Sequence, residues 1–87
     1  MLTIWKFPLE VTEIQDVKMP QGARVLAVQA QHGRPCLWAF VNTERPNESR
    51  RIHMYDTGYP IPIPCEYIGT FQSSDGVSVF HVLEYKD

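Results

Sequence analysis

Residues 24–41, RVLAVQAQHGRPCLWAFV, hold the two most apolar stretches of the chain, residues 24–30 and 36–41, on either side of a polar turn. If each stretch is extended, its apolar side chains point alternately to both faces, as they do in strands covered on both sides. Between them, Gly33 supplies the positive φ that a tight hairpin turn requires. This stretch therefore predicts a β-hairpin at the centre of a sheet.

Shorter alternating stretches lie on both sides of this hairpin. Near the N-terminus Trp5, Phe7 and Leu9 alternate with Lys6 and Pro8, which is typical of a half-buried strand, and the proline indicates a sheet edge or a strand end. Further alternating stretches occupy residues 15–19, 49–55, 65–72 and 77–85, with an Asp-Gly hairpin signal before the last. Turn signals recur from end to end. We therefore predict one domain, residues 1–87, of the all-β class, with about seven short antiparallel strands in a small barrel or two packed sheets.

Two segments depart from the strand pattern. Residues 12–15, TEIQ, have the spacing of a helix capping box and permit one short helical turn, although a strand over residues 15–19 fits better because Pro20 and Gly22 follow. Residues 57–64, TGYPIPIP, carry proline at positions 60, 62 and 64. Because proline fixes φ and removes an amide donor, we expect a stiff, polyproline-like crossing here.

Composition narrows the possible functions. The chain has 87 residues and a formal net charge of -2, with no globally basic character, which argues against binding duplex nucleic acid. No apolar run is long enough to cross a membrane and no signal peptide pattern opens the chain, so we expect a cytoplasmic protein whose Cys36 and Cys65 stay reduced. A domain this small has a thin core, and forming a homo-oligomer would bury more of its surface.

The sequence lacks the common patterns of enzymes and cofactor sites. Its glycines are scattered singly, so no phosphate-binding loop can be written, and the three histidines are far apart, without metal-ligand spacing. We therefore expect a non-enzymatic protein with no catalytic residues, no metal and no cofactor.

The remaining candidates are binding residues. Arg50 and Arg51 are suited to phosphate or carboxylate, although a solvated strand end with glutamate partners is the alternative. Tyr55, Tyr59 and Tyr67 bracket the proline-rich segment and offer rigid contact surface, unless they pack that segment onto the sheet.

Three further residues have both a structural and a functional interpretation. His53 and His81 alternate with apolar residues, so each is either a core or interface histidine or a contact to the polar edge of a ligand. Trp5 lies on a possible edge strand and could lie at a subunit interface.

Several strings distributed along the chain are similar to a known family. They are IWKFPLE (4–10), MPQGA (19–23), VLAVQ (25–29), CLWA (36–39), TGYPIP (57–62), YIGTFQ (67–72) and VFHV (79–82). Together they resemble a family of small, uncharacterised phage and prophage proteins that carries only a domain-of-unknown-function label.

The resemblance implies a phage accessory protein acting in the cytoplasm of an infected bacterium. Our leading hypothesis is a counter-defence protein, a homo-oligomer that sequesters a nucleotide-type immune signal such as a cyclic nucleotide or an ADP-ribose-like molecule. A tyrosine would stack on the base and an arginine would contact phosphate. The alternatives are a protein–protein inhibitor of a host defence protein, and a phage structural or housekeeping component.

Overall fold

The computed structural model describes all residues, 1–87, and contains seven β-strands and no helix. The strands are β1 (Leu2–Pro8), β2 (Ile14–Pro20), β3 (Arg24–Gln31), β4 (Arg34–Asn42), β5 (Asn47–Asp56), β6 (Cys65–Gln72) and β7 (Val79–Tyr85). The expected strand number and all-β class are confirmed.

The strands form two antiparallel sheets that pack on each other. One has the order β1-β4-β3 and the other has the order β2-β5-β7-β6. The sheets do not close into a barrel, so the expectation of two packed sheets is correct and the barrel alternative is wrong. Residues 11–13 form bends, so no helical turn begins at Thr12.

The hairpin predicted from the apolar stretches joins β3 to β4. Gln31 pairs with Arg34, and the two residues between them, His32 and Gly33, both have positive φ, as a two-residue hairpin loop requires. Only β4 is central, because β3 lies at the edge of its sheet. β3 is nevertheless rich in apolar residues because it packs against β6 of the other sheet.

The core lies between the sheets and draws on both of them. From β4 it takes Leu37, Ala39 and Val41, and from β5 it takes Ile52 and Met54. The other buried members are Leu9, Val17, Met19, Ala23, Val28, Phe71 and Val82. Side chains from both sheets thus form one shared core.

Residues 57–64 join β5 to β6. These two strands flank β7 and both run antiparallel to it, so they are parallel to each other and their connection must return along the length of the sheet. The polyproline-like conformation expected there stays a prediction.

The two sheets come closest where β3 meets β6. Both strands have a register shift at this point, between Val25 and Ala27 and between Tyr67 and Gly69. A Cβ atom on Gly69 would lie 3.0 Å from Cγ1 of the buried Val28. The limited space, and not a positive φ, therefore favours glycine here.

Replacing Gly69 with alanine should reduce the free energy of unfolding by about 1–3 kcal/mol, because the added methyl group overpacks the contact with Val28. In a Val28→Ala background the same substitution should be neutral or stabilising, since alanine is favoured over glycine in a strand by about 0.5–1 kcal/mol. Urea unfolding of the four proteins tests this. An equal loss in both backgrounds would show that the contact is not the cause.

Candidate functional site

Most of the predicted binding residues share the outer face of the four-stranded sheet. Alternation along β5 directs Arg51, His53 and Tyr55 to this face. Leu83 of β7 lies opposite His53, and Tyr67 of β6 lies opposite Leu83. The candidates on β5 and β6 therefore lie on the same face of the sheet, with β7 between them.

Arg50 lies on the opposite face of β5, where it forms an ion pair with Glu84. Its Nε donates to Glu84 Oε2, its Nη2 donates to Glu84 Oε1 over 3.0 Å, and its Nη1 donates to the carbonyl oxygen of Ala23 over 2.9 Å. The side chains of Arg50 and Glu84 are only 12% and 8% exposed. The hydrogen bond to Glu84 raises the pKa of Arg50 above its ordinary value, against the opposing effect of burial. All three nitrogens of the guanidinium group thus already donate hydrogen bonds within the chain.

Arg51 is also paired, but at the surface. Its Nε lies 3.4 Å from Asp16 Oδ1, and both side chains are more than half exposed. Arg50 and Arg51 line a cleft of about 670 Å³ with Lys86 and three carboxylates, those of Asp16, Glu48 and Glu84. Because three cations face three anions, the cleft has no excess positive charge to attract phosphate.

Replacing Glu84 with leucine should reduce the free energy of unfolding by about 3–5 kcal/mol, because it leaves the Arg50 charge without its main partner in a largely buried position. The double variant Arg50→Leu/Glu84→Leu should lose much less, since the charges that it leaves without a partner, on Glu48 and Lys86, are partly exposed. Asp16→Ala, which breaks the exposed pair with Arg51, is the control and should cost at most about 1 kcal/mol. Thermal unfolding measures all three. A loss in the double variant as large as that in Glu84→Leu would contradict this account.

His53 and Tyr55 are buried although they lie on the outer face. His53 is 4% exposed, its Nδ1 lies 2.8 Å from the hydroxyl of Tyr55, and its Nε2 is buried without a hydrogen-bond partner. Tyr59 stacks on Tyr55 with ring centroids 5.3 Å apart and planes 10° apart. These contacts place part of the 57–64 segment beside the end of β5.

A second polar cluster on this face consists of Thr57, Tyr67 and His81. His81 Nε2 lies 2.7 Å from Thr57 Oγ1, and His81 Nδ1 lies 2.8 Å from the hydroxyl of Tyr67. Tyr67 is thus held by a histidine of β7, separately from the Tyr55–Tyr59 stack. The three predicted tyrosines do not form one site.

A pocket of about 300 Å³ opens beside the Tyr55–Tyr59 stack. Its lining residues are Val11, Thr12, Glu13, Met54, Tyr55, Asp56, Tyr59 and Phe80. It has aromatic rings, two carboxylates and no lysine, arginine or histidine. We call it the Tyr59 pocket.

The carboxylates affect the electrostatics of this pocket. Burial raises the pKa of Tyr55, and the negative charge of Glu13 raises it further. Neither the Glu13 nor the Asp56 side chain forms a hydrogen bond or ion pair within the chain. Both carboxylates are thus available as acceptors for a bound group.

Sequence reasoning did not identify Glu13, Asp56 or Glu84. The spacing of 34 residues between Arg50 and Glu84 forms no pattern along the chain, and only the pairing of β5 with β7 brings them together. A signal was present for Arg50 itself, because it alternates in phase with the apolar Ile52 and Met54 and so shares their inward face.

Other reactive groups stay apart. Cys36 is buried and Cys65 is half-buried, and both are free thiols. No group of three or more His, Cys, Asp or Glu side chains has an arrangement that would hold a metal ion. Because the fold has no helix, it offers none that could span a membrane.

The fold is a small antiparallel β-sandwich with a pocket at one end of its central strand β5. The chain belongs to the family described as a domain of unknown function, DUF7352, whose model matches residues 1–87. No curated protein and no solved structure matches it. The family label agrees with the expected resemblance, whereas phage or prophage origin stays a prediction.

His53 should make stability depend on pH. Burial lowers its pKa below the ordinary value of 6.5, and the charge of Arg51 lowers it further, with Glu13 opposing. As pH falls below about 6.5 the unfolded chain takes up the proton first, so stability should fall until the pH passes the folded-state pKa. Comparing urea unfolding of the wild type and His53→Gln from neutral to acidic pH tests this. An unchanged pH slope in the variant would contradict it.

Proposed function

We propose that this domain is a non-enzymatic binding protein for a small molecule that contains a nucleoside, and that the Tyr59 pocket receives the nucleoside. The observation that carries the proposal is the Tyr55–Tyr59 stack beside a pocket that also contains two unpaired carboxylates. Sequestration of a nucleotide-type immune signal, expected from the sequence, is one biological role that such binding would serve.

The stacked tyrosines support recognition of a planar ring. Tyr55 is buried and anchored to His53, so its ring has a fixed orientation. Tyr59 packs parallel to it and is 53% exposed, which leaves ring surface free for a base. Stacking of a base on an aromatic side chain contributes about 1–3 kcal/mol.

The carboxylates support recognition of the sugar. A carboxylate only accepts hydrogen bonds, and ribose hydroxyls are donors that acidic residues bind in other nucleotide sites. Glu13 and Asp56 line the same pocket as the tyrosine stack. They provide the acceptors without a competing partner inside the chain.

Size and charge restrict which part of the ligand enters. A volume of about 300 Å³ is at the small end of ligand pockets, which suits a nucleoside better than a whole dinucleotide. The pocket contains no cationic side chain, so phosphate groups would remain outside it. Arg50 and Arg51 have no part in this proposal, because each is already paired with a carboxylate.

Isothermal titration with adenosine, ADP-ribose and a cyclic dinucleotide tests the proposal. At least one of these ligands should bind, and it should be recovered intact, as expected of a non-enzymatic protein. Tyr59→Ala should weaken binding by about 1–3 kcal/mol through the loss of stacking. Tyr67→Ala is the matched control, since Tyr67 is similarly exposed but lies outside the pocket, and it should bind normally.

Three results would contradict the proposal. One is the absence of binding by every nucleoside-containing ligand. Another is equal weakening by Tyr59→Ala and Tyr67→Ala. The third is binding of tetramethylammonium alone, which would identify the aromatic and acidic walls as a site for an organic cation.

A further inference from the structure

β1 has one free hydrogen-bonding edge. It pairs with β4 alone. One backbone hydrogen bond just outside each end of β1 shows which of its residues bond to β4. Thr43 N donates to the Met1 carbonyl oxygen over 2.9 Å, and Leu9 N donates to the Pro35 carbonyl oxygen over 2.9 Å. Because hydrogen-bonded pairs alternate in an antiparallel ladder, the odd-numbered residues of β1 face β4 and the even-numbered ones point away.

The free edge is therefore formed by the backbone of Leu2, Ile4 and Lys6. Each has an N–H and a C=O group directed away from β4. The edge ends at Pro8, which has no N–H. No backbone hydrogen bond from a turn or loop reaches these residues.

Exposed apolar side chains accompany this edge. Met1 is 69% exposed, Leu2 62%, Ile4 53% and Trp5 42%. At about 200 Å² for a large side chain, these fractions amount to roughly 450 Å² per copy. If all of this surface were covered, two copies would remove at most roughly 900 Å² of apolar surface, to which the paired backbone adds, against the ~1,000 Å² that a specific interface requires.

We propose that two copies of this chain associate through β1. The two strands run antiparallel about a two-fold axis at Ile4, and the two three-stranded sheets become one continuous sheet. Ile4 faces Ile4 of the other copy, and Leu2 faces Lys6 of the other copy. Such an interface is self-complementary, as a two-fold axis demands.

The free groups select this register. With the axis at Ile4, the N–H and C=O groups of Leu2, Ile4 and Lys6 all find partners. With the axis at Trp5, the Leu2 carbonyl would face Pro8 of the other copy, which has no N–H to donate. The register at Ile4 is therefore the one of the two in which no edge carbonyl lies opposite a proline, and the Pro8 carbonyl, which also points away from β4, lies beyond the paired residues.

The edge is suited to one partner and not to open-ended aggregation. Lysine and proline on an edge strand limit uncontrolled pairing. Lys6 Nζ donates to Gln31 Oε1 over 2.8 Å, so its ammonium group extends over β4 to β3 of its own sheet and away from the free edge. Pro8 ends the strand. A short edge of three residues is what remains.

Sedimentation equilibrium of the full chain tests the assembly. We expect a dimer with a dissociation constant on the order of micromolar, as suits a small interface. Ile4→Pro removes an N–H that has no partner within the chain, and it should weaken the dimer at least about tenfold while the circular dichroism spectrum stays native.

Two further variants keep the test decisive if Ile4→Pro fails to fold. Ile4→Lys places like charges opposite each other at the axis and should also weaken the dimer at least about tenfold. Val77→Lys is its matched control, since Val77 is 80% exposed and lies outside β1, and it should dimerise normally.

Cross-linking checks the register. In a Cys65→Ser background, mild oxidation should cross-link Ile4→Cys across the axis but not Lys6→Cys, which lies far from its own copy in this register. A monomer at all concentrations, or a dimer that persists in folded Ile4→Pro and Ile4→Lys, would overturn the proposal. These outcomes are separate from ligand binding, since they are measured without ligand.

Discussion

β5 pairs with β2 on one side and with β7 on the other, so every side chain along it is assigned to one of two faces. Ile52 and Met54 face inward and form part of the core, together with the ion-paired Arg50. Arg51 faces outward on the alternate face. A shift of one residue in this pairing would exchange the two faces, moving the core side chains to the surface. The core and the candidate site therefore depend on the same backbone register.

The outward face of this sheet is unusual because its middle is buried. In a two-layer fold one face of each sheet is commonly solvated, yet His53, Tyr55 and Leu83 are nearly inaccessible. Contacts from Thr57 and Tyr59 reach this face, so the segment after β5 contributes to its burial. A domain with a thin core gains stability from such additional burial, and the unpaired Nε2 of His53 is a cost that accompanies it.

Local patterns in the sequence predicted the fold well because strands and turns are local features. The sixth strand was predicted over the residues it occupies, and Gly33 has the positive φ that its turn requires. The arrangement of the strands was harder, because apolar residues on both faces of β3 indicate burial without indicating whether a neighbouring strand or the opposite sheet supplies it.

The candidate site was predicted only in part for the same reason. Tyr55 and Tyr59, both named from the sequence, do meet in a stack, whereas the two arginines lie away from them. Arg51 and Tyr55 lie on one strand four residues apart, which is about 13 Å at the rise of a β-strand. Glu13 reaches the pocket only because its carbonyl oxygen accepts a hydrogen bond from Met54 N, a contact across 41 residues of chain.

The free edge of β1 and the Tyr59 pocket are close in sequence, but the residues between them are held in place by contacts that involve neither. The chain between them is fixed at Leu9, which is 1% exposed and donates its N–H to Pro35. Glu10 follows, where N donates to Gln15 Oε1 over 3.1 Å and the carbonyl oxygen accepts from Gln15 Nε2 over 2.7 Å. This reciprocal pair closes the loop that carries Val11 and Glu13 into the pocket. Since these bonds use no group of the β1 edge, association of two copies would leave the pocket wall in place, and ligand binding and assembly are expected to be independent.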